Sequence, residues 1–108
     1  NLCTLSSNQF TLPSGTYRIK AKCPAWYAAS NKSKLRNITD SSDEIIGLSS
    51  RNNSCFNYAK MDGQFTITTT KTFELQHRST NSNSAGFGIA SNFGVIEIYS
   101  QVEIWRLY

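Results

Sequence analysis

Residues 16–23 read Thr-Tyr-Arg-Ile-Lys-Ala-Lys-Cys and alternate apolar and cationic side chains without a break. Successive residues of a strand point to opposite faces, so this period of two describes a half-buried strand and excludes a helix. Tyr17, Ile19, Ala21 and Cys23 face a core, while Arg18, Lys20 and Lys22 form a basic ladder outside. The rest of the chain follows the same rule, with no helix-period stretch of useful length. Residues 10–12 form a short apolar strand before the turn Pro13-Ser14-Gly15. Pro24 is expected to end or bend the 16–23 strand, because it has no N–H for a ladder. Residues 25–31 then read as a loop carrying Trp26 and Tyr27. Further strands are expected at 34–39 and 44–49, around a turn at 40–43, with a polar loop at 50–54. Segments 55–61 and 64–69 read as two strands parted by Asp62-Gly63, followed by strands at 71–79 and 86–91 around a polar loop at 80–84. Many short strands at near-regular spacing predict an all-β sandwich, jelly roll or barrel. No repeat, linker or second domain interrupts residues 1–108, so one domain is expected.

The last strand, 95–108 after Asn92-Phe93-Gly94, is apolar on both faces. Ile96, Ile98, Val102 and Ile104 make an ordinary core face, interrupted by Ser100. Glu97, Tyr99, Gln101, Glu103, Trp105 and Leu107 make the other face. Large aromatics mixed with carboxylates are the composition of a subunit interface. A free end is usually frayed and polar, yet this one runs to Trp105, Leu107 and Tyr108, which predicts that a second copy covers it. On the 71–79 strand Phe73, Leu75 and His77 share one face and Glu74, Gln76 and Arg78 the other. If Phe73 and Leu75 face the core, the polar three lie outward beside Tyr99 and Trp105, with Arg36 from a neighbouring strand. The candidate interface is therefore Arg36, Glu74, Gln76, Arg78, Glu97, Tyr99, Glu103, Trp105 and Leu107, and any charge buried in it must be paired.

Composition bounds function more than it assigns it. The net charge is +4 and the pI about 9.1. No block of like charge stands out, so nothing argues for nucleic acid. No apolar run approaches the roughly 20 residues of a membrane helix, so no membrane insertion is expected. The chain begins at Asn1 without an initiator Met, as a processed chain or a fragment of a longer protein would. Abundant Asn, Ser and Thr suit an extracellular or virion-surface β-protein. Cys3, Cys23 and Cys55 include no CxxC pair, which excludes a zinc knuckle. Free thiols packed as small hydrophobes, one disulfide with a free thiol, or an interchain bond all satisfy the sequence.

Catalytic chemistry finds little support. His77 is the single histidine, so any triad would have to use it. No GxSxG motif and no phosphate-cradling glycine loop are present. Asp40 and Asp43 frame a turn and suit capping it, since EF-hand spacing is absent. No catalytic residue, metal site or cofactor is expected. Trp26 and Tyr27 on one loop, with Arg51, Asn52, Asn53 and Tyr58 in or beside another, are the candidate receptor-binding set. Aromatic rings stack on the apolar face of a sugar, and amides and guanidinium groups satisfy its hydroxyls. The Arg18/Lys20/Lys22 ladder is either a solvated strand face or a contact for acidic polysaccharide. Sequons begin at Asn31, Asn37 and Asn52, and in a chain this rich in Asn and Ser chance is sufficient.

The ordered set Thr11-Leu12-Pro13-Ser14-Gly15-Thr16-Tyr17-Arg18-Ile19-Lys20-Ala21, Lys34-Leu35-Arg36-Asn37-Ile38-Thr39-Asp40, Gly63-Gln64-Phe65-Thr66-Ile67, Phe73-Glu74-Leu75-Gln76-His77, Gly86-Phe87-Gly88, Glu97-Ile98-Tyr99 and Glu103-Ile104-Trp105 resembles the C-terminal head domains of bacteriophage tail fibres and tailspikes. Those heads have the jelly roll of tumour necrosis factor and of the complement globular head. The resemblance spans almost the whole chain. Loops 25–32 and 49–58 and the three cysteines fall outside it. It implies an eight-stranded jelly roll, a threefold homotrimer and a receptor-binding role, without implying which receptor. The function expected from it is multivalent binding of a host receptor at the tip of a phage fibre or spike in the virion, with a bacterial surface saccharide as the first expectation. Two alternatives stay open: a trimerisation and folding cap without its own ligand, and a secreted cytokine-like or complement-like ligand.

Overall fold

The computed structural model describes residues 3–6, 8–26, 29–52, 56–80, 92–96 and 100–108. Every regular element among them is a strand: β1 (Thr4–Ser6), β2 (Gln9–Leu12), β3 (Gly15–Trp26), β4 (Ala29–Asn37), β5 (Ser42–Ile46), β6 (Ser50–Asn52), β7 (Phe56–Ile67), β8 (Lys71–Ser79) and β9 (Gln101–Arg106). One sheet runs β1-β2-β8-β4-β5, with β6 also paired to β4. The other runs β7-β3-β9. All pairings are antiparallel. The all-β class expected from the alternation is what forms, and the arrangement is compatible with a β-sandwich.

Burial follows the period of two. Along β3, Tyr17, Ile19, Ala21 and Cys23 are buried and Arg18, Lys20 and Lys22 exposed, as the alternation requires. On the facing sheet Phe10, Leu12, Leu35 and Phe73 complete the core. Aromatic rings link the layers. Phe65 stacks on Tyr17 within one sheet with centroids 5.7 Å apart. It meets Phe73 of the other sheet at 5.3 Å, and Phe73 stacks on Phe10 at 5.7 Å. The buried Tyr17 hydroxyl is not orphaned, since it donates to the Pro13 carbonyl at 2.8 Å.

A second junction closes one flank. Past β5 the Gly47 N–H donates to Ser33 O of β4 (2.8 Å), and the Leu48 N–H donates to Lys60 O of β7 (2.9 Å). Two neighbouring residues thus bond to different sheets. Only glycine fits at the crossing, because a Cβ on Gly47 would stand 2.6 Å from Ser33 O and 2.9 Å from Lys60 O. Lower on the same flank Ile45 packs over Gly63, where a Cβ would meet its Cδ1 at 2.8 Å. At the upper end Asn57 Nδ2 donates to Ser50 Oγ (2.5 Å) and to Arg51 O (3.3 Å), tying β7 to β6.

Several expected boundaries differ. Pro24 does not end its strand: β3 continues to Trp26, with Pro24 opposite Tyr58. Among the described residues, β3 beyond Lys22 pairs with β7 alone. The loop expected at 25–31 is therefore mostly strand, with β4 beginning at Ala29. Ser50, Arg51 and Asn52, read as loop, pair with β4. Asp62-Gly63 is no turn: β7 runs through it, and Gly63 serves as a notch for Ile45. The last strand is shorter than read, spanning Gln101–Arg106. Val95 and Ile96 are exposed and outside any strand. The strand expected at 86–91 lies outside the described residues.

Gly47→Ala should lower stability by about 1–3 kcal/mol, the usual cost of forcing atoms into a filled site. Urea denaturation should show a lower midpoint with an unchanged slope. An unchanged midpoint would mean that the crossing is not tightly closed.

Candidate functional site

The outer face of the six-stranded sheet carries cations in register. Lys32 lies opposite Arg78, Lys34 opposite Gln76 and Arg36 opposite Glu74. These positions alternate with the inward Leu35, Phe73 and Leu75, which is why they share the outer face. The charges on this face are not balanced evenly along the strands. Near β5, Asp43 Oδ1 lies 2.8 Å from Arg36 Nη1 and 3.0 Å from Lys34 Nζ. Those two partners hold the Asp43 carboxyl below its ordinary value of 3.8, the Arg36 hydrogen bond contributing most. Glu74 accepts from Gln76 Nε2 at 2.8 Å.

At the other end of the same strands no carboxylate among the described residues answers the cations. Lys32 and Arg78 stand directly opposite each other, a like-charge pairing that disfavours the sheet. Arg51 joins them from β6, opposite Ser30, and its Nη1 donates to Ser30 Oγ at 3.2 Å. Among the described residues none of the three makes an ion pair. They border a shallow basin of about 520 Å³ lined by Ser30, Asn31, Lys32, Ser49, Ser50, Arg51, Arg78, Ser79 and Thr80. That volume lies within the roughly 300–1,000 Å³ of small-ligand sites. The described lining holds hydroxyls, an amide and three cations, and among the described residues it holds no carboxylate and no aromatic ring. Lys32 and Arg78 also border a second depression of about 390 Å³ toward Lys34, Asp43 and Gln76.

The Arg18/Lys20/Lys22 ladder, on the outer face of the three-stranded sheet, is different. Arg18 pairs with Asp62 at 3.2 Å, and its hydrogen bond is the main cause lowering the Asp62 carboxyl below 3.8. Lys20 lies opposite both Asp62 and Glu103. Only at Lys22, opposite Lys60, does like charge meet like.

The candidate receptor-binding residues divide between the two outer faces. Arg51 is in the basin. Trp26, half-buried, and Tyr58, 48% exposed, are diagonal neighbours on the three-stranded sheet. Asn52 ends β6, while Tyr27 and Asn53 lie outside the described residues. The candidate interface residues divide as well. Arg36, Glu74, Gln76 and Arg78 are on the outer face of the six-stranded sheet, but Glu103 and Trp105 are on that of the other, opposite Lys20 and Arg18. The expected juxtaposition of these groups within one chain does not form. Leu107 follows β9 and its N–H donates to Thr16 O; Glu97 and Tyr99 lie outside the described residues.

Lys32 and Ser30 went unremarked in the sequence because 25–31 read as a loop. The signal was the alternation that begins at Ala29 and puts both residues on the exposed side. Arg78 was read as a seam residue, since nothing in the sequence reveals that it faces Lys32.

His77 belongs to the inner face, opposite Ser33. Asn31 Nδ2 donates to Ala29 O, which leaves its Oδ1 to accept from His77 Nε2 at 3.2 Å. The neutral ring is therefore protonated at Nε2, and burial lowers its pKa below 6.5. Asp40 caps its turn as expected, accepting from Asn37 Nδ2 (3.1 Å) while its N–H donates to Asn37 Oδ1 (3.0 Å). Cys3 and Cys23 are free thiols. Burial raises the Cys23 pKa, with the Ser100 and Ser33 hydroxyls acting the other way. Cys55 lies outside the described residues. Among the described residues no three His, Cys, Asp or Glu side chains gather as a metal site would need.

No family model, curated protein or solved structure matches the chain. Function must therefore be argued from these surfaces.

The Asp43 bonds have a pH signature. A carboxyl whose folded pKa is depressed stabilises the fold above its unfolded value, and that contribution disappears as pH falls through the folded value. Asp43→Asn should lower stability at pH 7 and leave a shallower loss below about pH 4, as measured by urea melts across that range. Parallel curves for the variant and the parent would contradict the pairing.

Proposed function

We propose that the chain is a recognition head: a jelly-roll domain that assembles as a homotrimer at the tip of a phage fibre or spike and binds a bacterial surface saccharide. The observation that carries this reading is the basin at Arg51. It is open, and its three cations sit on paired strands, so their backbones are held in place before a ligand arrives. Hydroxyl, amide and guanidinium groups suit a hydroxylated ligand. Trp26 and Tyr58 on the other outer face offer a separate stacking surface for a sugar ring. Each contact is weak alone, and three linked copies raise avidity by roughly 100- to 10,000-fold where geometry permits.

The trimer is supported by exposed apolar side chains near the C-terminus. Trp105 is 43% exposed and Leu107 42%, and Phe93, Val95 and Ile96 are more exposed still. The same residues favour a second reading, a trimerisation cap with no ligand of its own.

Light scattering of the isolated chain should give three times the 12.1 kDa chain mass. Trp105→Ala should weaken the assembly, seen as dissociation at a higher concentration than the parent. A monomer at micromolar concentration would refute the trimer. Separately, the trimer should adhere to purified host-surface saccharide in a pull-down. An intact trimer that adheres to no host saccharide would favour the cap.

A further inference from the structure

We infer that the basin is a subsite for an acidic saccharide, in which Lys32, Arg51 and Arg78 hold the carboxylate or sulfate groups of the ligand. This rests on the recognition reading and adds the ligand's charge class and the residues that select it.

The argument begins with the cost of the arrangement. Lys32 and Arg78 are direct cross-strand partners, so their Cβ atoms are about 5 Å apart. Arg51, opposite Ser30 and so diagonal to Lys32, adds a third positive charge within about 8 Å of Lys32. The same face shows how such charges are neutralised when only the fold matters. Two residues further along β4, Lys34 and Arg36 share Asp43 at 3.0 and 2.8 Å. On the opposite sheet Arg18 is bound to Asp62, and Lys20 has Asp62 and Glu103 beside it. Around the basin the corresponding places are filled by Ser30, Ser49, Ser50 and Thr80. Lys22 and Lys60, the other like-charge pair, border a depression that Asp62 also lines, whereas the described lining of the basin holds no carboxylate, so a bound anion would relieve its repulsion.

The lining decides what kind of anion. Among the described residues no aromatic side chain lines the basin, so this lining offers neither the stacking platform of a single-stranded nucleic acid site nor the face on which a neutral sugar ring packs. Hydroxyl groups beside cations suit a polymer that carries hydroxyls and acid groups together. The cations come from three adjacent strands. From strand spacing and rise, the Cα atoms of Arg51 and Arg78 lie about 10–12 Å apart, which lets them meet acid groups at separate points along one chain. Guanidinium groups serve here because they bind carboxylate or sulfate through two parallel hydrogen bonds.

The test uses the full chain, with polygalacturonate and dextran sulfate as the acidic probes. Methyl-esterified polygalacturonate and dextran are their uncharged counterparts. Calorimetry at low salt should show binding to at least one acidic polymer and at least tenfold weaker binding to its neutral counterpart. Added salt should weaken binding. The preferred acidic polymer distinguishes carboxylate from sulfate. Arg78→Gln should weaken binding tenfold or more, whereas Lys60→Gln, which removes the same charge from the other sheet, should change it less than twofold. Arg78→Gln should melt no lower than the parent at low salt, because it removes a repulsive pair. Equal binding of acidic and neutral polymers would overturn the inference and leave saccharide recognition standing. So would host-saccharide binding with no affinity for either acidic probe. Equal losses from the two substitutions would reduce the effect to net charge and overturn the subsite. Affinity for single-stranded DNA alone would replace it with a nucleic-acid site. Absence of binding to every probe and to host saccharide would overturn the recognition reading as well.

Discussion

Phe65 and Phe73 meet across the two sheets with ring centroids 5.3 Å apart, and each stacks on an aromatic of its own sheet, Tyr17 and Phe10. A short antiparallel sheet is not stable alone in water until an apolar face is covered. This ring contact covers both faces at once, and the rest of the fold depends on it. Truncating Phe73 to alanine would remove a fully buried ring from the centre, a change that typically costs about 3–5 kcal/mol. Gly47 completes the join at the flank, where the backbone passes from Ser33 of one sheet to Lys60 of the other. With the core closed by rings and the flank by backbone bonds, neither outer face is needed to hold the layers together.

Those outer faces are where the chain's charge lies. On one, Arg18 and Lys20 have carboxylates beside them. On the other, Lys34 and Arg36 share Asp43, while Lys32, Arg51 and Arg78 make no ion pair among the described residues. Exposed ion pairs contribute little to stability, so the contrast matters less for folding than for where the positive potential concentrates. Like-charge cross-strand pairs stand at Lys22–Lys60 and at Lys32–Arg78, and only the second is joined by a third cation, Arg51, at the basin. The same end of β3 and β7 carries Trp26 and Tyr58 on the opposite face, so the proposed recognition residues lie at one end of the strands on two separate surfaces.

Much of this was legible in the sequence, for physical reasons. The burial of Tyr17, Ile19, Ala21 and Cys23 follows from alternation alone, because one face of a strand must meet the core. The bounds of the 71–79 strand were readable for the same reason. Local rules failed where tertiary structure overrides them. Pro24 persists in β3 opposite Tyr58 of β7, and Gly63 persists in β7 because Ile45 needs the space. Neither fact is local. The basin was hidden for a related reason: Lys32, Arg51 and Arg78 come from three strands, and only the register of β4 with β6 and β8 brings them together. The division of the expected interface residues between two outer faces likewise depends on which sheet each strand joins, which alternation does not encode.

The central claim is that binding chemistry concentrates where cations are left unneutralised. Backbone amide chemical shifts followed by NMR during titration with an acidic oligosaccharide test it most directly. The account predicts the largest changes at Ser30, Lys32, Arg51, Arg78 and Thr80, with the amides of Arg18, Lys20 and Lys22 little affected. Changes confined to the Arg18–Lys22 face, or spread evenly over every exposed lysine and arginine, would contradict it.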